Sequence, residues 1–109
     1  MKLVLVCYSG SSASILRDRM LAWARANLLD VEIIVSSLAG LDEDKEDADI
    51  FLVGPQVRCA LASVRERVPE RIPVMAVDTR DYGMAKGDRV MQAALDEIRQ
   101  YKEHKIHME

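Results

Sequence analysis

The chain has 109 residues, half of them apolar and 30% charged, with a formal net charge of -3. That balance suits one folded domain with one hydrophobic core, residues 1–109. With no basic patch standing out, it argues against a nucleic-acid partner. The longest apolar runs, such as Leu3 to Tyr8, are far too short to cross a bilayer, and the first residues lack the basic region and long apolar stretch of a secretory leader. The expectation is a free-standing cytoplasmic protein, not itself inserted in a membrane, that meets any membrane partner from the water side. The two cysteines, Cys7 and Cys59, form no C-x-x-C pair, which gives metal or dithiol chemistry little support.

In chain order, Lys2 to Cys7 is a near-continuous apolar run, the pattern of a strand buried on both faces in a parallel sheet. Leu16, Met20 and Trp23 then recur at helical spacing with arginines between them, predicting a helix from Ser12 to about Leu28. "VEIIV", 31 to 35, is a second strand. The segment 41–49, "LDEDKEDAD", places six acids in the eight positions after Leu41 and reads as a solvated loop or short helix. Ile50 to Val53 is a third strand and ends in "GPQ". Pro55 can open a helix whose apolar face is Val57, Ala60, Leu61, Val64 and Val68, and Pro69 stops it. "PVMAV", 73 to 77, is a fourth strand. A loop from 78 to 88 follows, then a helix marked by Met91, Ala94, Leu95, Ile98 and Tyr101, with Asp88 as its expected N-cap.

Strands that alternate with helices predict an α/β fold with a parallel sheet. The simplest doubly wound arrangement of four strands is the order 2-1-3-4, with helices on both faces. Strand 1 is then central, and its C-terminal end is the switch point at which ligands bind in open α/β sheets. Cys7 falls there. The residues after it, Tyr8, Ser9, Gly10, Ser11, Ser12, Ala13 and Ser14, are small apart from Tyr8, and four of them are serines. Gly10 permits turns closed to other residues. Uncovered amides at the start of a helix suit a tetrahedral oxyanion, and a thiol in that field is expected to be more acidic than usual. A nucleophile inside a phosphate cradle points to attack on phosphorus and a phosphocysteine intermediate.

Two phosphate chemistries fit this arrangement. Small cysteine phosphatases carry an arginine six residues after the cysteine. Here that position is Ala13, and the nearest arginine is Arg17, inside the predicted helix. Asp78 and Asp81 are the only acids suggested as proton donors. A slow hydrolyser that still forms phosphocysteine is a carrier. Three classes stay open at this level: phosphocarrier, low-molecular-weight cysteine phosphatase, and non-catalytic α/β binding module.

"CYSGSSAS", 7 to 14, resembles the cysteine loop of the enzyme IIB components of the bacterial sugar phosphotransferase system, lactose/cellobiose (chitobiose) type, with Cys7, Gly10, Ser12 and Ser14 on its pattern. "ADIFLVGPQV", 48 to 57, resembles the family's third strand and the turn after it. "VDTRDYG", 77 to 83, resembles its last strand and tyrosine–glycine loop. Ser11 and Ala13 depart from the pattern, where the family has methionine and threonine. The resemblance implies the fold shared with low-molecular-weight phosphotyrosine phosphatases. It also implies a phosphoryl relay, in which a phosphohistidine of enzyme IIA loads Cys7. Cys7 then passes the group to a sugar on membrane enzyme IIC, a disaccharide such as cellobiose, chitobiose or lactose. It implies no metal and no organic cofactor.

Other residues read more plainly. Cys59 lies on an apolar helix and reads as structural, and Trp23 and Met20 read as core. Gln56 and Tyr82 follow strands 3 and 4 on the side of Cys7 and could line the rim of the site or simply pack their turns. His104 and His107 are a weak pair near the C-terminus. The basic residues of the first helix are the expected docking contacts for a phosphate-bearing partner.

Overall fold

The computed structural model describes residues 1–7, 10–37 and 47–108, without the side chains of residues 10–12, 56, 58, 59 and 104–108. Four strands, β1 (Lys2–Cys7), β2 (Glu32–Ser37), β3 (Ile50–Val53) and β4 (Val74–Ala76), form one sheet in the order β2-β1-β3-β4. Every pairing is parallel, with Cys7 opposite Ser37 and Val6 opposite Val53. The helices are α1 (Gly10–Ala26), α2 (Leu61–Arg67), α3 (Thr79–Gly83) and α4 (Gly87–Met108), and a 3-10 segment, Pro55–Ala60, precedes α2.

The central place of β1 explains its composition. Leu3, Val4, Leu5 and Val6 have no exposed surface, because both faces of the sheet are covered. Side chains alternate along a strand, so Leu3, Leu5 and Cys7 join one buried cluster with Ala13, Leu16, Met20 and Ala24 of α1 and with Val90, Met91, Ala94 and Ile98 of α4. Val4 and Val6 join the other with Val57, Val64 and Val68. Helices therefore cover both faces, as the alternation of elements predicts.

Several boundaries differ from the sequence reading. Helix α1 begins at Gly10, two residues before Ser12. Strand β2 runs on to Ser37 because Ser36 and Ser37 continue the ladder beside Val6 and Cys7. The helix expected from Pro55 is broken: Pro55–Ala60 is a 3-10 segment with non-helical angles at Val57 inside it (φ -116°, ψ 20°), and α2 begins only at Leu61. The loop 78–88 contains α3, whose N-cap is Asp78. Helix α4 starts at Gly87, which puts Asp88 in its first turn instead of at the cap. Most of the acidic run lies outside the described residues. Asp49, however, is not a solvated charge, since its Oδ2 accepts a hydrogen bond from the Lys2 amide at 2.8 Å.

Helices α1 and α4 meet closely at Gly87. A Cβ there would lie 2.5 Å from the Arg19 carbonyl carbon and 2.6 Å from the Met20 nitrogen. No L-residue with a side chain fits that contact without moving backbone. Near it, the Arg19 guanidinium donates to the carbonyls of Met84 (3.4 Å) and Ala85 (3.3 Å), fixing the α3–α4 turn against α1.

Candidate functional site

The C-terminal ends of β1, β3 and β4 converge. The Gly54 amide donates to the Val6 carbonyl and the Val77 amide to the Val53 carbonyl, each at 2.9 Å. These bonds carry the ladder one step past the strands and set Gly54–Pro55 and Val77–Asp78 on the same side of the sheet as Cys7. Strand β1 is flanked by β2 on one side and β3 on the other, so Cys7 stands at the switch point.

Cys7 is 2% exposed. The thiolate is the charged form, so loss of water disfavours it, and burial pushes the Cys7 thiol above its ordinary value. The expectation of an unusually acidic thiol is therefore corrected: burial moves this thiol in the opposite direction. Tyr8 and Ser9 lie outside the described residues. Gly10, Ser11 and Ser12 form the first turn of α1. Gly10 is helical, and no described glycine has a positive φ, so its backbone conformation does not demand glycine. What a glycine leaves there is uncovered amide surface. The first four N–H groups of a helix have no acceptor within it, and in α1 these include those of Gly10, Ser11 and Ser12.

Ala13 is completely buried and belongs to the same cluster as Cys7, which leaves no room at this position for a phosphate-clamping side chain. Arg17 faces outward with Asp18 at 3.5 Å. The two carboxylates considered as proton donors are engaged within their own corner. Oδ1 of Asp78 accepts from the amides of Arg80 (2.9 Å) and Asp81 (3.0 Å), and Asp81 pairs with Arg89 at 3.0 Å. Tyr82 is 7% exposed and packs in the cluster that holds Cys7 and Ala13, beneath the site end. The side chains of Gln56, Cys59, His104 and His107 lie outside the described residues.

Ser37 lies beyond the strand 31–35 expected from the sequence, and the parallel register sets it beside Cys7. Strands that start at Lys2 and Glu32 in register place residue 37 opposite residue 7.

Comparison with known proteins now decides the family. A model of the phosphotransferase system lactose/cellobiose-specific IIB subunit matches residues 2–93. The chain belongs to that IIB family. It is 33% identical over 98 residues to the galactose-specific EIIB component of Lactococcus lactis subsp. cremoris, covering 84% of this chain and 91% of that protein. It is 32% identical over 95 residues to the oligo-beta-mannoside-specific EIIB component of Bacillus subtilis, covering 86% and 92%. Among solved structures, the cellobiose-specific phosphotransferase IIB component of Borrelia burgdorferi superposes with a TM-score of 0.78 at 29% identity, covering 93% of this chain and 94% of that one. The lactose-specific IIB domain of Streptococcus pneumoniae shares the fold, with a TM-score of 0.74 at 17% identity over 89% and 96% of the two chains. The sheet order β2-β1-β3-β4 is thus that of an IIB domain, and the chain is a phosphotransferase system component. Among the described residues, no helix is long and apolar enough to cross a membrane.

Proposed function

We propose that this IIB protein is a cytoplasmic phosphocarrier, a protein-cysteine phosphotransferase that works through Cys7. The observation that carries this reading is the position of Cys7 at the end of the central strand, followed at once by the first turn of α1. Residues Tyr8 to Ser14 serve as the phosphate cradle, with Gln56 and Tyr82 as residues of the rim or its support. No metal or organic cofactor takes part.

The donor is a phosphohistidine of enzyme IIA. The Cys7 sulfur attacks phosphorus, an S–P bond forms and the N–P bond breaks. The thiol proton leaves with the imidazole nitrogen. A thiol held protonated by burial suits this exchange, because the leaving imidazole needs a proton. In the second step a hydroxyl of a sugar held by membrane enzyme IIC attacks the same phosphorus. The S–P bond breaks and the hydroxyl proton returns to sulfur. The sugar is a disaccharide of the cellobiose, chitobiose or lactose kind. Phosphoryl transfer depends mainly on positioning and charge stabilisation, which the amide-rich first turn of α1 can supply.

A phosphatase needs a clamp and an acid as well. The burial of Ala13 and the engagement of Asp78 and Asp81 favour the carrier. The test is the lifetime of phosphoprotein beside turnover of an aryl phosphate. The carrier reading expects a phosphoprotein stable enough to isolate, discharged by membranes holding IIC and sugar, with aryl phosphate hydrolysis near background. Rapid hydrolysis through a short-lived intermediate would replace it with the phosphatase reading.

A further inference from the structure

Of the large apolar side chains exposed among the described residues, two stand towards the site end: Ile15 at 56% and Met84 at 54%. Ile15 lies one turn ahead of Arg19 on the same face of α1, and Arg19 reaches the Met84 and Ala85 carbonyls. Beside Met84, Arg80, Lys86 and Arg89 line a surface hollow of about 470 Å³ with Asp78 and Asp81. Both carboxylates are already engaged, Asp78 by helix amides and Asp81 by Arg89. Among the described residues, Arg80 and Lys86 have no carboxylate within ion-pair distance. In a protein of net charge -3, this corner carries three cations against two carboxylates, with Arg80 and Lys86 the two not paired to a carboxylate among the described residues, beside two exposed apolar side chains. Tyr82 of the same corner packs in the cluster that holds Cys7.

We infer that the α3–α4 corner, with Arg80 and Lys86 around Met84 and with Ile15 across from it, is the surface on which the phosphorylated donor docks. This rests on the carrier reading given above. The occupant follows from charge. A donor presenting a phosphoryl group brings close to two negative charges at neutral pH, and a cationic rim steers such a face and holds it in register. An apolar centre inside a charged rim is the usual anatomy of a protein-binding patch. This corner, more than the outer face of α1, then sets the rate of loading, since Arg17 is paired with Asp18 and Arg19 is spent on the α3–α4 turn.

The test compares the wild-type protein with Arg80→Glu/Lys86→Glu and with Arg99→Glu/Lys102→Glu. The second pair makes the same change of net charge about three turns or more further along α4. Each is mixed with a phosphohistidine-loaded enzyme IIA of the lactose/cellobiose type, and the second-order rate of phosphorylation is followed at low and moderate salt. The corner variant should load at least about tenfold more slowly at low salt, with the difference shrinking as salt rises. The distal pair should load at the wild-type rate, and neutral alkylation of Cys7 and the melting temperature should be unchanged in both. Equal loading of the corner variant would overturn the proposal and leave the carrier reading intact. Normal loading with slowed discharge to IIC membranes would also overturn it, assigning the corner to the membrane partner. A wild-type protein that accepts no phosphoryl group would overturn the carrier reading and this surface together.

Discussion

Gly87→Ala tests whether the contact between α1 and α4 is as tight as the backbone places it. The added Cβ would meet the Arg19 carbonyl carbon at 2.5 Å, the Met20 nitrogen at 2.6 Å and the Arg19 Cβ at 2.8 Å. Two of these are backbone atoms, so no side-chain rotation relieves the overlap and the helices must part. Overpacking of this kind costs about 1–3 kcal/mol. Alanine at a helix position returns up to about 1 kcal/mol relative to glycine, and less at the first residue, where Gly87 stands. A net loss of about 1–2 kcal/mol follows. For a domain of this size that lowers Tm by roughly 4–8 °C per kcal/mol. Gly83→Ala is the internal control, because a Cβ there has nothing within 4 Å, and it should melt within about 0.5 kcal/mol of the parent. Calorimetry or thermal circular dichroism on both variants decides the matter. An unchanged or raised Tm for Gly87→Ala would refute the close packing of α1 on α4.

Alkylation of Cys7 by iodoacetamide should have its pH midpoint higher in the folded protein than in the chain unfolded in urea. Burial raises the folded value, and only thiolate reacts. The same shift makes this contribution to stability full below the unfolded thiol pKa and lost as pH rises through the folded one, so alkaline melts should show a loss that Cys7→Ala removes. A folded midpoint below the unfolded one would restore the acidic-thiol expectation. Ala13→Arg, which places an arginine where small phosphatases have theirs, should cost about 3 kcal/mol or more, because the site is fully enclosed and a guanidinium there would be unpaired. It should confer no aryl phosphate turnover. A variant that melts like the parent and hydrolyses aryl phosphate would show that the clamp position is open.

The sheet order and the position of Cys7 were readable because they depend on coarse features. The unbroken apolar run at Lys2–Cys7 marks a doubly covered strand, and alternation of elements sets the topology around it. The details that escaped depend on tertiary contacts. The turn after α1 places Leu28 at φ 58°, a left-handed position that glycine or asparagine usually announces, so this conformation, unlike the helix end near it, had no mark in the sequence. The break at Val57 has no proline or glycine of its own. Asp78 as a cap for α3 was hidden because "TRDYG" is too short to show a helical period, although the aspartate was a cap signal in its own right. The role of Gly87 needs knowledge of which helix crosses it. The end of the central strand as the place of Cys7 was legible, but the direction of its pKa shift was not. Helix start and burial act in opposite senses on a thiol, and only the structure shows that Cys7 is buried.

The central claim is that the phosphoryl group rests on Cys7. It is tested most directly by intact-mass analysis of the wild-type protein, Cys7→Ser and Cys59→Ser after incubation with a phosphohistidine-loaded enzyme IIA, followed by mapping of the modified peptide. The account predicts a mass gain of one phosphoryl group in the wild-type protein and in Cys59→Ser, located on the peptide that contains Cys7, and none in Cys7→Ser. Labelling that survives in Cys7→Ser, or is lost in Cys59→Ser while that variant melts like the parent, would contradict it.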